Sequence, residues 1–322
     1  MAFIRDALFA GLMLPLIASG AAHAQRASQT ITLVVPIAAG GGVDAIARLM
    51  AEKMQERLKQ PVVVENRVGA GGVVGTDSVA KSAPDGQTLL LMETSAVLQK
   101  WLHKSVPFDV VADFAPVALI ASTPILLFAH PSTPINNPAE LIAYAKANPG
   151  KLSVGTPGVG TPHHLTMAMM NSLAGIDITH VPYRGTAPAL NDLLGGQIPL
   201  LWATAAAVMP MVEAGKVKVI GIASAQRLPS LPQVPTVAES GLPGFNVEIW
   251  FGIAAPAKTP PDIVARLGDE IRQIVDLPDV RQRAQAIGFT LGYGDSKKFR
   301  ALIAGDHEKF GKVIRDAGIA PN

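Results

Sequence analysis

From Ile31 onward two hydrophobic rhythms alternate along the chain. The short apolar runs ITLVVP, PVVV and TLLLM have the length and β-branched content of buried parallel strands. Between them lie segments in which apolar residues return every three or four positions. In VDAIARLMAEKMQERLK these are Ile46, Leu49, Met50, Met54 and Leu58, one face of a helix. GVVGTDSVAKSAPDG predicts a shorter helix closed by a Pro-Asp-Gly turn. Strand, helix, strand, helix, strand is the order of a doubly wound parallel sheet.

FAPVALIASTPILLFAHPS then runs long, extended and apolar, and reads as a strand leaving a first lobe. A second α/β series follows. Its helices are NPAELIAYAKANPGK, HHLTMAMMNSLAG, APALNDLLGG and AAVMPMVEAGK; its strands are LSVGTP, DITHVPY, IPLLWA and VKVIGIAS. FNVEIWFGIAAPAKTP is extended again, and amphipathic helices are expected at Asp262–Val275, Pro278–Ala286 and Lys297–Ala317. Two α/β units joined by two extended segments predict two lobes with a cleft between them. The expected boundaries are 29–125 plus 250–322 for lobe 1 and 126–249 for lobe 2. No internal repeat stands out.

The N-terminus follows neither rhythm. MAFIRDALFAGLMLPLIASGAAHA has a cation at Arg5, an apolar run from Ala7 to Ala18, and a small-x-small ending at Ala22-His23-Ala24. This is the pattern of a signal peptide over 1–24, cleaved near Ala24/Gln25; an uncleaved anchor is the alternative. Export fits a chain without cysteine, since 322 residues with 49% hydrophobic content can form cores without disulfides. The 27 basic and 25 acidic residues nearly cancel, and no Lys/Arg cluster offers a nucleic-acid footprint.

The candidate chemistry lies in two glycine-rich turns. In IAAGGGVDAIA a strand passes through Gly40, Gly41 and Gly42 into a helix. Three readings compete. A dinucleotide site matches G-x-G-x-x-A, with Glu65 near the position of a ribose-binding acid, but Asp44 would oppose a pyrophosphate. Glycines also serve plain close packing. The third reading is a carboxylate cradle: a helix N-terminus presents unpaired N–H groups and partial positive charge, and glycines let an anion approach. Asp44 is then structural. SVGTPGVGTPHHL supplies a second turn in the other lobe, with Gly155, Gly158 and Gly160, hydroxyls at Thr156 and Thr161, and Pro162 at the first helical position.

Other residues carry weaker signals. His163 and His164 point different ways on a helix and have no third ligand at coordinating spacing, so no metal site is expected; His163 is a candidate polar contact. Arg184 could grip a carboxylate but reads more readily as a surface or inter-lobe charge. Tyr183 reads as packing and Arg48 as structural. Neither G-x-S-x-G nor H-E-x-x-H is present, and no catalytic residue or cofactor is expected.

The two turns, together with QPVVVENRVGAGGVVGTDSVAKSAPDGQTLLL, ELIAYAKANPGKLSVGTPGVGTPHHL, THVPYRGTAPALNDLLGGQIPLLW, LPQVPTVAESGLPGF and WFGIAAPAKTP, run in one order through the chain. In that order the chain resembles the Bug family of periplasmic solute-binding proteins, the receptors of tripartite tricarboxylate transporters. The resemblance implies an α/β, two-lobed Venus flytrap fold of type II kind, each lobe a doubly wound sheet flanked by helices. It implies a small carboxylate in the cleft, a monomeric receptor in the periplasm, and the transporter's membrane subunits as partners. Carried over residue by residue, the ligand-binding set is Ala38, Ala39, Gly40, Gly41, Gly42 and Val43; Thr94 and Ser95; Thr156, Gly158, Val159, Gly160 and Thr161; and Trp202, Ala203 and Thr204; His163 joins it as the polar contact read from the residues themselves.

Three positions depart from the family pattern: Ala38-Ala39 replace Pro-Pro, Val43 replaces a Ser or Thr, and Trp202-Ala203-Thr204 replaces Phe-Asp-Asn. Without an acid at Ala203 an amino-acid ligand is disfavoured. Trp202 and Trp250 are expected to cover an apolar or aromatic body, so a dicarboxylate or aromatic carboxylate is favoured. The competing readings are an exported enzyme on the same scaffold, a component presenting ligand to a sensor and, remotely, an NAD-dependent dehydrogenase.

Overall fold

The computed structural model describes residues 29–321. The segment expected to be a signal peptide, 1–24, lies outside the described residues. The first unit contains β1 (Ile31–Val35), α1 (Gly42–Leu58), β2 (Val62–Asn66), α2 (Val73–Ala80), β3 (Thr88–Glu93) and a short α3 (Gln99–Leu102). β2, β1 and β3 are parallel, with Ile31 opposite Val62 and Val34 opposite Leu90. Ile46, Met50 and Met54 of α1 are buried, the face that the apolar spacing marked out.

β4 (Phe114–Ala129) organises the molecule. Its first part pairs with β9 (Glu248–Pro256), which in turn pairs antiparallel with β3; its second part pairs with β7 (Leu200–Thr204) and β8 (Lys218–Ile222). The exchange falls at one peptide, because Pro124 faces Glu248 and Ile125 faces Thr204. Pro116 stands at a register shift and Pro124 at the exchange, places where a strand tolerates a missing N–H. Beyond β7 lie β5 (Ser153–Thr156) and β6 (Thr179–Pro182), parallel to each other. The helices of this second part are α4 (Pro138–Ala147), α5 (Pro162–Ala174), α6 (Thr186–Leu194) and α7 (Ala205–Glu213).

The C-terminal part returns to the first sheet with α8 (Pro261–Val275), α9 (Pro278–Ala286), β10 (Thr290–Gly294) and α10 (Ser296–Asp316). In α8 the buried residues Ile263, Leu267, Ile271, Ile274 and Val275 recur at helical spacing. Three features were not anticipated from sequence. β10 adds an antiparallel strand to β4, α3 forms between β3 and β4 where no element was expected, and α10 packs against α5 as well as against β4. Trp101 of α3 fastens to α10: its Nε1 donates to the His307 carbonyl at 3.1 Å, and the Arg315 guanidinium lies 4.8 Å above its ring.

This topology brings the two glycine turns together. β3 ends at Glu93 opposite Phe251, and β7 ends at Thr204 opposite Ile125, so the carboxyl ends of both sets of parallel strands point toward the β4 exchange. Ligands of open α/β sheets bind outside the carboxyl ends of strands.

Candidate functional site

The first turn is built around Asp44. Its Oδ2 accepts from the Gly40 N–H at 3.1 Å and from Arg48 Nε at 2.9 Å; its Oδ1 accepts from Asn66 Nδ2 at 3.0 Å. The Arg48 hydrogen bond, opposed by burial and aided by the Gly40 and Asn66 donors, holds this carboxyl down to about 2. Asp44 and Arg48 are therefore structural, as their positions in the first turn suggest. Ala38 to Gly42 are exposed and Val43 is half-buried. Among the described residues, no acceptor meets the N–H groups of Gly41, Gly42 and Val43. Gly41 caps α1 with extended backbone and no side-chain bond. Glu65, the acid considered for a ribose, lies against Arg67 at 2.7 and 2.9 Å.

The second turn is more rigid. Thr161 caps α5, accepting the His164 N–H at 3.3 Å and donating its hydroxyl to the Gly158 carbonyl at 2.8 Å. Thr156 is 0% exposed, and its Oγ1 lies 2.7 Å from His180 Nε2. The hydroxyls expected to face a ligand are thus engaged inside the turn. The Gly160 N–H donates to His164 Nδ1 at 3.0 Å, and the His164 ring stacks on His180 at 4.0 Å between centroids. Sequence reading missed this clamp, because nothing in the chain order marks His180 as a neighbour of His164. Burial, then the neighbouring His180, pushes His164 down to about 4. The donors left open among the described residues are the Val159 and His163 N–H groups. Val159 is the exposed tip of the turn, at 63%.

His163 is 8% exposed and neither ring nitrogen has a partner among the described residues. Burial lowers its pKa to about 4, so the ring is neutral at physiological pH. A buried neutral imidazole with two open nitrogens calls for a water or a ligand. Arg184 stands exposed beside the turn, where the Gly185 N–H donates to the Pro157 carbonyl at 2.9 Å; among the described residues it pairs with no carboxylate. Tyr183 OH donates to Asp192 at 2.7 Å, in keeping with its packing role.

Beside the packing of α10 on α5, contacts near both turns join the halves. A Cβ on Gly160 would sit 2.8 Å from a methyl of Leu102 of α3, which would have to move aside, and the φ of +75 is what favours glycine there. On the other flank Gly288 touches Ala206 of α7, while the Phe289 ring lies over Gly42. Thr94 is fully buried: its Oγ1 accepts the Trp250 N–H at 2.8 Å and donates to the Glu248 carbonyl at 3.4 Å, fixing the start of β9. Ser95 donates to Glu93 Oε1 at 2.5 Å.

The tryptophans do not stand where cover for a ligand was expected. Trp202 is 1% exposed and packs within the core, with Ala203 also buried beside it; Thr204 is half-buried and caps α7 without a side-chain bond. Trp250 gives its Nε1 to Asp306 of α10 at 2.7 Å and meets Phe299 edge-on at 5.4 Å. Both faces of β7 are covered by helices, so Trp202 is core, and the Trp250 indole falls on the face of β9 that packs against α10. Among the described residues no group of three His, Asp or Glu could hold a metal.

The model of the tripartite tricarboxylate transporter family receptor matches residues 46–319. The chain belongs to this family. BugT of Bordetella pertussis is 36% identical over 293 residues, 90% of either chain. Among solved structures, Rhodopseudomonas palustris Rpa4515 with adipate is 33% identical with a TM-score of 0.77, over 92% of this chain and 99% of that one. The periplasmic binding protein BugD is 34% identical at a TM-score of 0.73, over 91% and 99%. MatC from the same Rhodopseudomonas species, with bound malate, is 35% identical at 0.72, over 89% and 99%. The fold is that of the periplasmic binding proteins, and the family is one of transport receptors, not of enzymes.

Proposed function

We propose that this receptor captures a small organic carboxylate, a dicarboxylate or an aromatic carboxylate, between two lobes. It then delivers the ligand to the membrane subunits of a tripartite tricarboxylate-type transporter. The observation that carries the reading is the pair of helix N-termini, α1 and α5, each opened by glycines with unengaged N–H groups, at strand ends that converge on the β4 exchange. Lobe 1 comprises 29–125 and 250–322, lobe 2 comprises 126–249, and the receptor works in the periplasm after losing 1–24.

One carboxylate accepts from Gly41, Gly42 and Val43; the Val159 and His163 N–H groups and the His163 ring approach from lobe 2, with Thr204 at the flank. Val159 and Leu102 supply the apolar cover that Trp202 and Trp250 do not. Each charge-assisted hydrogen bond contributes roughly 1.5–3 kcal/mol. A micromolar dissociation constant needs about 8 kcal/mol net, within reach of a handful of such bonds with some apolar burial. Contacts from both lobes exist together only when the cleft is shut, so the ligand shifts the open–closed equilibrium by its differential affinity. Relatives solved with adipate and malate support a carboxylate cargo.

A thermal-shift screen of the chain from Gln25 against mono-, di- and tricarboxylates, aromatic acids and NAD tests this. A ligand at a hundred times its dissociation constant stabilises by about 2.7 kcal/mol. Stabilisation by an organic acid and not by NAD is expected; stabilisation by NAD alone refutes the reading.

A further inference from the structure

Glu93 is the first polar residue after the apolar run of β3 and the last residue of that strand. It is half-buried, and among the described residues no cation approaches within ion-pair distance of it. Its one partner is Ser95, whose hydroxyl donates to Oε1 at 2.5 Å. That bond uses the one hydroxyl proton of Ser95, so the Ser95 side chain offers the cleft an acceptor.

The register fixes which way the acid points. Glu93 stands opposite Phe251 in an antiparallel pair, so the two side chains share a face of the sheet. Phe251 meets Phe289 edge-on at 5.0 Å, and Phe289 lies over Gly42 at the start of α1. On the other side β1 pairs with β3 through Val34 and Leu90, and continuing that register sets Glu93 level with Ile37, the root of the first glycine turn. The carboxyl end of β3 therefore presents acceptors beside a turn that presents donors.

From this juxtaposition we infer that Glu93 is a specificity-determining residue, selecting carboxylates that also carry a hydrogen-bond donor, a hydroxyl or an ammonium, close to the carboxyl group. The inference rests on the carboxylate reading above and narrows its ligand class. A half-buried carboxylate without a cation is costly to keep unless something partners it. Burial pushes the Glu93 carboxyl up, opposed only by the Ser95 hydroxyl; a donor from the ligand restores the ionised form. The acid absent at Ala203 in lobe 2 thus has a counterpart in lobe 1, and amino acids return to the set of ligands to be tested.

The experiment is isothermal titration of the chain from Gln25 with matched acids on common carbon skeletons: succinate, malate and aspartate; 3-phenylpropanoate, 3-phenyllactate and phenylalanine; adipate with its 2-hydroxy and 2-amino forms. The donor-bearing member of a series should bind about 10- to 100-fold tighter than its parent, and Glu93→Gln should remove that margin while leaving the parent's affinity within about threefold. Glu93→Asp serves where the glutamine variant fails to fold, and should shrink the margin. Equal affinity for parent and donor-bearing acids in the wild type, or a margin that survives Glu93→Gln, overturns the inference and leaves the carboxylate reading standing. If no acid binds while another class of compound from the wider screen does, the carboxylate reading falls, and this inference with it.

Discussion

Gly41 lets the cradle be closed without harming the fold. Its φ of −89 and ψ of 175 are open to any residue, and a Cβ there would meet nothing within 4 Å. It is the N-cap of α1 and makes no side-chain cap. In Gly41→Asp the new carboxylate falls where an N-cap acid accepts from the second or third helical N–H, those of Val43 and Asp44, and the Val43 group is one assigned to the ligand. The fold should lose nothing: an Asp cap is worth a few tenths of a kcal/mol over Gly, partly offset by the nearby Asp44. Binding should collapse. Loss of the one charge-assisted bond from Val43 removes about 1.5–3 kcal/mol, or roughly one to two decades of affinity, and repulsion between the new carboxylate and the ligand's adds to it. Gly41→Ala, with no acceptor, is the control and should stay within about tenfold of wild type. Urea unfolding gives the stability and isothermal titration with the best acid from the screen gives the affinity. A Gly41→Asp protein that is folded and binds as tightly as wild type would refute the assignment of these N–H groups.

Three further outcomes follow from the packing. Asp44→Ala takes away the acceptor shared by the Gly40 N–H, Arg48 and Asn66, so urea unfolding should show a loss of about 1–2 kcal/mol; a loss below about 0.5 kcal/mol would contradict the buttress. Gly252→Ala sets a Cβ 2.8 Å from the Ala118 carbonyl and against the Phe299 ring, and overpacking should cost about 1–3 kcal/mol or more in the same assay, an unchanged midpoint being the contrary result. His163 and His164 are neutral in the fold, with pKa values lowered to about 4 by burial, below the ordinary value near 6.5. The unfolded chain takes up protons first, so this stability is full above about pH 6.5 and is lost as pH falls toward 4. Urea midpoints at pH 7.5 and 5.0 should therefore differ, and His164→Gln should narrow the gap; a midpoint flat across this range would show that the clamp is not built of neutral rings.

The hydrophobic rhythm located most of the strands and helices, because the longer helices bury one stripe and the inner parallel strands β1, β3 and β7 are apolar along most of their length. The crossing strands were legible for the same reason: a strand shared by two sheets is covered along its whole length, and β4 reads as one long apolar run. β10 was not, since Thr290–Gly294 is short, glycine-rich and half exposed. The glycine turns announced themselves, as did Asp44 in its first-turn position. What the order of residues could not supply was the partner of each polar group. Thr156 and Thr161 looked like free hydroxyls until His180 and the Gly158 carbonyl were seen beside them. Trp250 looked like a lid until Asp306, 56 positions away, was found holding its indole. Glu93 stood in plain view at a strand end and drew no attention, because its isolation from every cation is a three-dimensional property.

A crystal structure of the receptor with the acid that stabilises it most would test the central claim most directly. A ligand carboxylate should lie within hydrogen-bond distance of the N–H groups of Gly41 to Val43, with the Val159–His163 turn contacting the same molecule from the other lobe. An acid bound to one lobe alone, or away from both helix N-termini, would contradict it.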